Sequence, residues 1–95
     1  MTATDQARWF SQQVLPCEPA LRAYLLKRFP ALPDHDDLLQ EVYVRTLKAQ
    51  ESGRVACTRA FLFTAARNAA IDQFRRQRRV SNEELSEAVD LTPKF

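Results

Sequence analysis

Apolar residues recur along this chain at intervals of three and four, the spacing of helices that bury one face. Over residues 4–14, Ala7, Phe10 and Val14 share a face, and Pro16 is expected to end that helix. Pro19 suits the first turn of a second helix, in which Leu21, Tyr24, Leu25 and Phe29 turn inward before Pro30 and Pro33 close it. Asp34 is a good N-cap for a third helix, with Asp37 in the capping-box position and Asp36 favourable to the helix dipole. There Leu38, Leu39, Val42, Tyr43 and Thr46 form the inner side, leaving Asp37, Gln40, Glu41, Val44, Arg45 and Lys48 on the other. Residues 50–57 hold the single Gly and read as the next connection.

A fourth helix starts at Thr58 or a neighbour. Its inner side should carry Leu62, Phe63, Ala66, Ala70, Phe74 and Gln77. The opposite stripe mixes chemistries: Phe61, Thr64, Ala65, Asn68, Asp72, Arg75, Arg76 and Arg79, within a run that puts four arginines into residues 75–79. Beyond Arg79 the pattern weakens; Ser81 can cap a short helix through Leu85 and Val89, which Pro93 stops.

With one Gly in 95 residues and no alternating Val/Thr/Ile run, hairpins and tight turns are poorly supplied, so the expected fold is all-α, a compact helical bundle of about four helices. The length suffices for one modest core without disulfides or metal. No apolar run approaches the roughly 20 residues that cross a bilayer, and no signal-peptide pattern opens the chain, so a cytoplasmic protein without membrane insertion is expected. Cys17 and Cys57 with the lone His35 do not make a zinc site, and the two cysteines read as packing residues or free thiols. The cluster Asp34-His35-Asp36-Asp37 is explained by capping; no catalysis and no cofactor are expected.

Charge is segregated. Residues 53–79 carry seven arginines against Asp72, a net +6, whereas residues 31–52 (five acids, two bases) and 80–95 (four acids, one base) each carry −3. Blocks of opposite sign point to two partners, a polyanion at the basic helix and something else at the acidic one. Four arginines exceed what complementing a helix dipole requires. A ring, an amide and guanidinium groups in one stripe can stack on a base, read its edge and hold the backbone. Val44, aliphatic among polar neighbours, reads either as an ordinary isolated surface residue or as the centre of a protein-binding patch.

Asp36-Asp37-Leu38-Leu39-Gln40-Glu41-Val42-Tyr43, followed by Arg59-Ala60-Phe61-Leu62-Phe63-Thr64-Ala65-Ala66-Arg67-Asn68-Ala69-Ala70-Ile71-Asp72 and an arginine run, resembles region 2 of the bacterial sigma-70 family. The likeness covers residues 8–80 and is nearest to the short extracytoplasmic-function (ECF) sigma factors, including the iron-uptake-regulator type. It implies a domain that binds the clamp helices of the largest subunit of the RNA polymerase core and opens promoter DNA at the minus-ten element. Carried onto matching positions, it implies that Asp37, Gln40 and Glu41 face polymerase, and Val44 lies at the centre of that face. Likewise Phe61, Asn68, Arg75, Arg76, Arg78 and Arg79 would bind the non-template single strand, with Thr64 and Ala65 of the same stripe beside them. Ser52 to Thr58 would pocket a flipped base, and an anti-sigma factor is a further partner the likeness admits.

The chain differs from the family pattern in three respects. Phe61 stands where these factors usually have Trp, the loop before the basic helix is short, and no second helix-turn-helix domain for the minus-thirty-five element is expected in the sequence. The expected organisation is a region 2 domain over 1–80 and an acidic tail or linker start over 81–95. Two competing readings are a stand-alone helical DNA-binding repressor and a polymerase-binding adaptor. A repressor would place its base-reading residues at the start of a short helix, whereas these arginines crowd the end of a long one.

Overall fold

The computed structural model describes the backbone of residues 2–89 and the side chains through residue 80. Helix α1 (Ala3–Trp9) is capped by Thr2, whose hydroxyl accepts from the Asp5 amide at 3.1 Å. It passes through a π-helical turn (Phe10–Val14) and a 3-10 turn (Leu15–Cys17) into α2 (Glu18–Arg28). After a short connection come α3 (His35–Glu51) and α4 (Thr58–Val89). The described residues are all helix and connection, the all-α fold the spacing implies.

Pro16 does not end the first helical run. The Leu15 amide reaches back five residues to the Phe10 carbonyl, and the Glu18 amide only three, to Leu15. Pro16, which has no N–H to donate, therefore sits where the hydrogen-bond ladder changes register, and little is lost by its presence. The wide turn brings Val14 fully inward and sets Phe10 edge-on against Tyr43, ring centres 5.3 Å apart at 87°. Ala7, expected to be inward, is exposed.

Helices α2, α3 and α4 meet in one core. Leu21 and Leu25 from α2, Leu39 and Val42 from α3, and Leu62 from α4 are all essentially inaccessible, and Leu32 drops in from the α2–α3 connection. Tyr24 of α2 meets Phe63 of α4 edge-on at 5.5 Å. On the outside, the Arg22 guanidinium donates to Glu18 and Asp36, clasping α2 to the start of α3; these bonds, that to Asp36 first, favour its charged form still further. His35 contacts the Phe29 carbonyl at 3.0 Å, which requires Nε2 to carry the proton, and so ties the α2–α3 connection shut. Burial, more than the nearby Glu18, raises the pKa of the Tyr43 hydroxyl.

Helix α3 starts as its sequence implies, with Asp34 accepting from the Asp37 amide at 3.0 Å. It ends on Gly53 at φ +71° in a Schellman motif, in which the Gly53 amide bonds the Gln50 carbonyl (3.0 Å) and the Arg54 amide the Ala49 carbonyl (2.9 Å). The helix thus covers the first two positions of the expected 50–57 connection. Five inner residues of α3 expected from the spacing, Leu38, Leu39, Val42, Tyr43 and Thr46, are buried, as is Ala49.

Helix α4 departs most from expectation. Its inner face is small: Ala65, Ala66, Ala69 and Ala70 are buried beside Leu62. Side chains of that size let α3 and α4 approach closely along their shared length. Phe74 and Gln77, expected to be buried, are exposed, Phe74 by 41%. The reason is length: 32 residues make a rod of about 48 Å, against about 25 Å for the 17 residues of α3. From Phe74 to Val80 every side chain is exposed, so the bundle is compact only as far as Ile71 and carries a projecting helix. Ser81 does not start a separate helix; no Gly or Pro interrupts the chain there and α4 runs on to Val89. Pro93 lies outside the described residues. Among those residues no helix is long and apolar enough to cross a membrane. Cys17 is half-buried, Cys57 exposed, and both are free thiols.

Candidate nucleic-acid interface

The close approach of α3 and α4 leaves two open depressions along their seam. The smaller, about 330 Å³, is lined by Phe61, Thr64, Ala65 and Asn68 of α4, by Arg45, Lys48 and Ala49 of α3, and by Arg54 of the connecting loop. The larger, about 670 Å³, is lined by Glu41, Val44, Arg45 and Lys48 of α3 and by Asp72, Arg75, Arg76 and Arg79 of α4. Arg45 and Lys48 belong to both, which makes them one groove along the seam.

The composition of that groove changes along its length. At the bundle end, an aromatic edge, a hydroxyl and an amide lie among three cations. Toward the projecting end, Arg75, Arg76 and Arg79 join Arg45 and Lys48 against the carboxylates of Glu41 and Asp72. Such a surface offers stacking and edge hydrogen bonds at one end and phosphate contacts at the other. Phe61 is half-buried and packs on the core while keeping part of its ring toward the groove. Thr64 and Asn68 are exposed. Ala65, placed on the open stripe by its spacing, is only 7% exposed, because α3 covers it; it is the floor of the groove and presents little beyond a methyl group. Arg78 lies outside the groove, its guanidinium 5.9 Å from the centre of the Phe74 ring on the projecting helix.

On α3, Asp37 and Gln40 are exposed, and Val44 is 48% exposed at the rim of the larger depression. Glu41 is half-buried and already engaged, bonded to Arg45 one turn along and facing Arg76 across the seam at 3.8 Å. Arg45 in turn donates to Asp72 at 3.3 Å. The acidic and basic surfaces inferred from charge blocks therefore abut and share ions.

Arg45 and Lys48 are groove residues that periodicity places only on the outer side of α3, whereas Arg54 lies in the 52–58 loop that the family likeness puts at a flipped base. The sequence bears on Arg45 alone. Asp72 is the sole acid among the seven arginines of residues 53–79, and its carboxylate takes Arg45 from across the seam.

The sigma-70 region 2 family model matches residues 14–80, 67 of the 95 positions. The chain belongs to the sigma-70 region 2 family. As a region 2 domain it has the family's role in transcription initiation, binding RNA polymerase and recognising promoter DNA. The match takes in both walls of the groove, from Glu41 to Arg79, together with α2 and the loop that carries Arg54. No curated protein and no solved structure matches the chain.

Proposed function

We propose that this region 2 domain is of the ECF type and opens the promoter at the minus-ten element, holding the non-template single strand in the α3/α4 groove. The observation that carries the reading is the groove itself: Phe61, Thr64 and Asn68 sit among Arg45, Lys48 and Arg54, and the same channel continues into Arg75, Arg76 and Arg79. Bases lie at the first end and backbone along the second. Arg54 brings the 52–58 loop to the base end, where a flipped base would recover the few kcal/mol of unstacking. Arg78, outside the groove, contacts DNA from the projecting helix. Asp37, Gln40, Glu41 and Val44 form the surface for the clamp helices of the polymerase core. Residues 1–80 act as the region 2 unit and 81–95 as an acidic tail or linker start, and an anti-sigma factor would compete for the same outer face of α3. The domain acts in the cytoplasm and uses no cofactor.

Binding to three targets tests this: the non-template minus-ten strand, the same sequence as duplex, and isolated clamp helices. Affinity for the first and last with weaker duplex binding is expected; a preference for duplex would favour a repressor.

Two sets of variants separate the surfaces. Phe61→Ala should weaken single-strand binding by about 1–3 kcal/mol, the worth of one stacked base. Its stability cost should fall short of the roughly 3–5 kcal/mol of a fully buried Phe, since the ring is half-buried. Asn68→Ala should reduce discrimination between the cognate strand and a scrambled one; full discrimination would move base reading to the 52–58 loop. For polymerase, Gln40 and Val44 are better probes than Glu41, which is tied to the groove. The double change Gln40→Ala with Val44→Ala should weaken clamp-helix binding about tenfold with an unaltered melting temperature. Undiminished binding would remove the outer face of α3 from the interface.

A further inference from the structure

Two acid–base couples, each with the acid one turn before the base, face each other across the α3/α4 seam. Glu41 and Arg45 are one turn apart on α3, and Asp72 and Arg76 one turn apart on α4. Because the helices run antiparallel here, Arg45 stands against Asp72 (3.3 Å) and Glu41 against Arg76 (3.8 Å). Arg45 also bonds Glu41, so a chain of charges runs from Asp72 through Arg45 and Glu41 to Arg76 and crosses the seam twice. The four side chains are 30–54% exposed. They are therefore reachable from both the outer face of α3 and the groove, and their contacts are weak enough to be exchanged.

We infer that this chain is a charge latch coupling polymerase binding to DNA binding. Free in solution, Glu41 and Asp72 neutralise Arg45 and Arg76, and so withhold two of the five cations that line the larger depression. A cationic group of a partner that takes the Glu41 carboxylate on the outer face of α3 removes the acceptor both arginines share. Arg76 then turns to phosphate oxygens, and Arg45, left with the exposed Asp72 alone, can follow it. Linkage makes the effect reciprocal: phosphate on those arginines frees Glu41 for the partner. The latch rests on the proposed assignment of the α3 face to polymerase and of the groove to DNA. It accounts for Asp72, whose charge in a helix meant for a polyanion is otherwise a handicap.

The test measures binding of the whole chain to a fluorescent single-stranded oligodeoxynucleotide of about 12 nucleotides as a function of salt. Glu41→Gln should tighten binding by about 5- to 10-fold, the scale of a modest coupling. It should also steepen the log–log salt slope by about 0.7 to 1.4, because Arg76 loses its acceptor outright and Arg45 keeps Asp72 alone, at about 0.7 per phosphate contact. Glu51→Gln removes the same charge from the same helix outside the chain of pairs, and should change affinity less than about twofold, as an exposed charge screened by salt. A brace that merely joins the helices would instead show a lower melting temperature and an unchanged slope, and that result overturns the latch. So do equal shifts for the two variants while the wild-type chain binds. If neither wild-type nor variant binds the oligonucleotide, the DNA reading falls and the latch with it. Should Glu41→Gln fail to fold, Asp72→Asn, which removes one of the two acceptors of Arg45, is expected to tighten binding and steepen the slope by up to about 0.7; an unchanged slope there overturns the latch equally.

Discussion

Replacing Arg75, Arg76 and Arg79 together by alanine should make single-strand binding less salt-dependent, flattening the log–log slope by about 1.4. Each phosphate contact on a single strand contributes about −0.7 to that slope, and the free chain loses two, those of Arg75 and Arg79, since Glu41 holds Arg76. Extrapolated over the decade from 1 M salt to 0.1 M, a slope difference of about 1.4 amounts to about 25-fold in affinity at the lower salt, vanishing near 1 M. The three side chains stand on the exposed half of α4, beyond the last buried turn, so the loss should come without a change in unfolding free energy. Preference for the cognate strand over a scrambled one should persist, because Phe61 and Asn68 at the other end of the groove are untouched. Fluorescence anisotropy titrations across a salt series give both quantities. Wild-type and variant slopes that coincide would show that these arginines do not meet phosphate.

The second large effect is on stability. Leu62→Ala should lower the unfolding free energy by about 2–5 kcal/mol, read from the urea midpoint at unchanged m-value. Among the described side chains of α4, Leu62 is the one large aliphatic that is wholly inaccessible; its buried neighbours there are alanines. Alanines set the distance between α3 and α4 but contribute little apolar area, which leaves Leu62 to anchor the helix. A domain whose total stability is about 5–15 kcal/mol would lose a large share of it. DNA binding measured below the new midpoint should survive, since Leu62 does not line the groove. A cost under about 1 kcal/mol would mean that α4 is held by contacts other than this core.

Much of the architecture was legible along the chain because each signal is local. The N-cap of α3 is Asp34 and its stop is the single Gly, and both work through atoms within five residues of one another. The inner face of α3 follows from spacing alone because that helix is covered along its whole length. The same rule failed at Phe74 and Gln77 for a physical reason: periodicity states which face is apolar, but only the reach of neighbouring helices states how far that face is covered. Pro16 misled in a similar way. A proline removes one donor, and whether that ends a helix depends on whether the ladder needs the donor at that position.

By itself, then, the sequence determined an all-α fold, the four helices, the mixed stripe on α4 and the family to which they belong. What the tertiary structure alone decided is the groove. Arg45 and Lys48 read as the solvated side of an acidic helix until α4 lies against it and turns them into its second wall. Glu41 and Arg76 are 35 positions apart, and nothing in the local pattern of either foretells an ion pair between them. The physical reason is that propensity, capping and hydrophobic period act over one or two turns of chain. Which charges meet across a seam depends on the packing register, and small alanine side chains at the contact set that register.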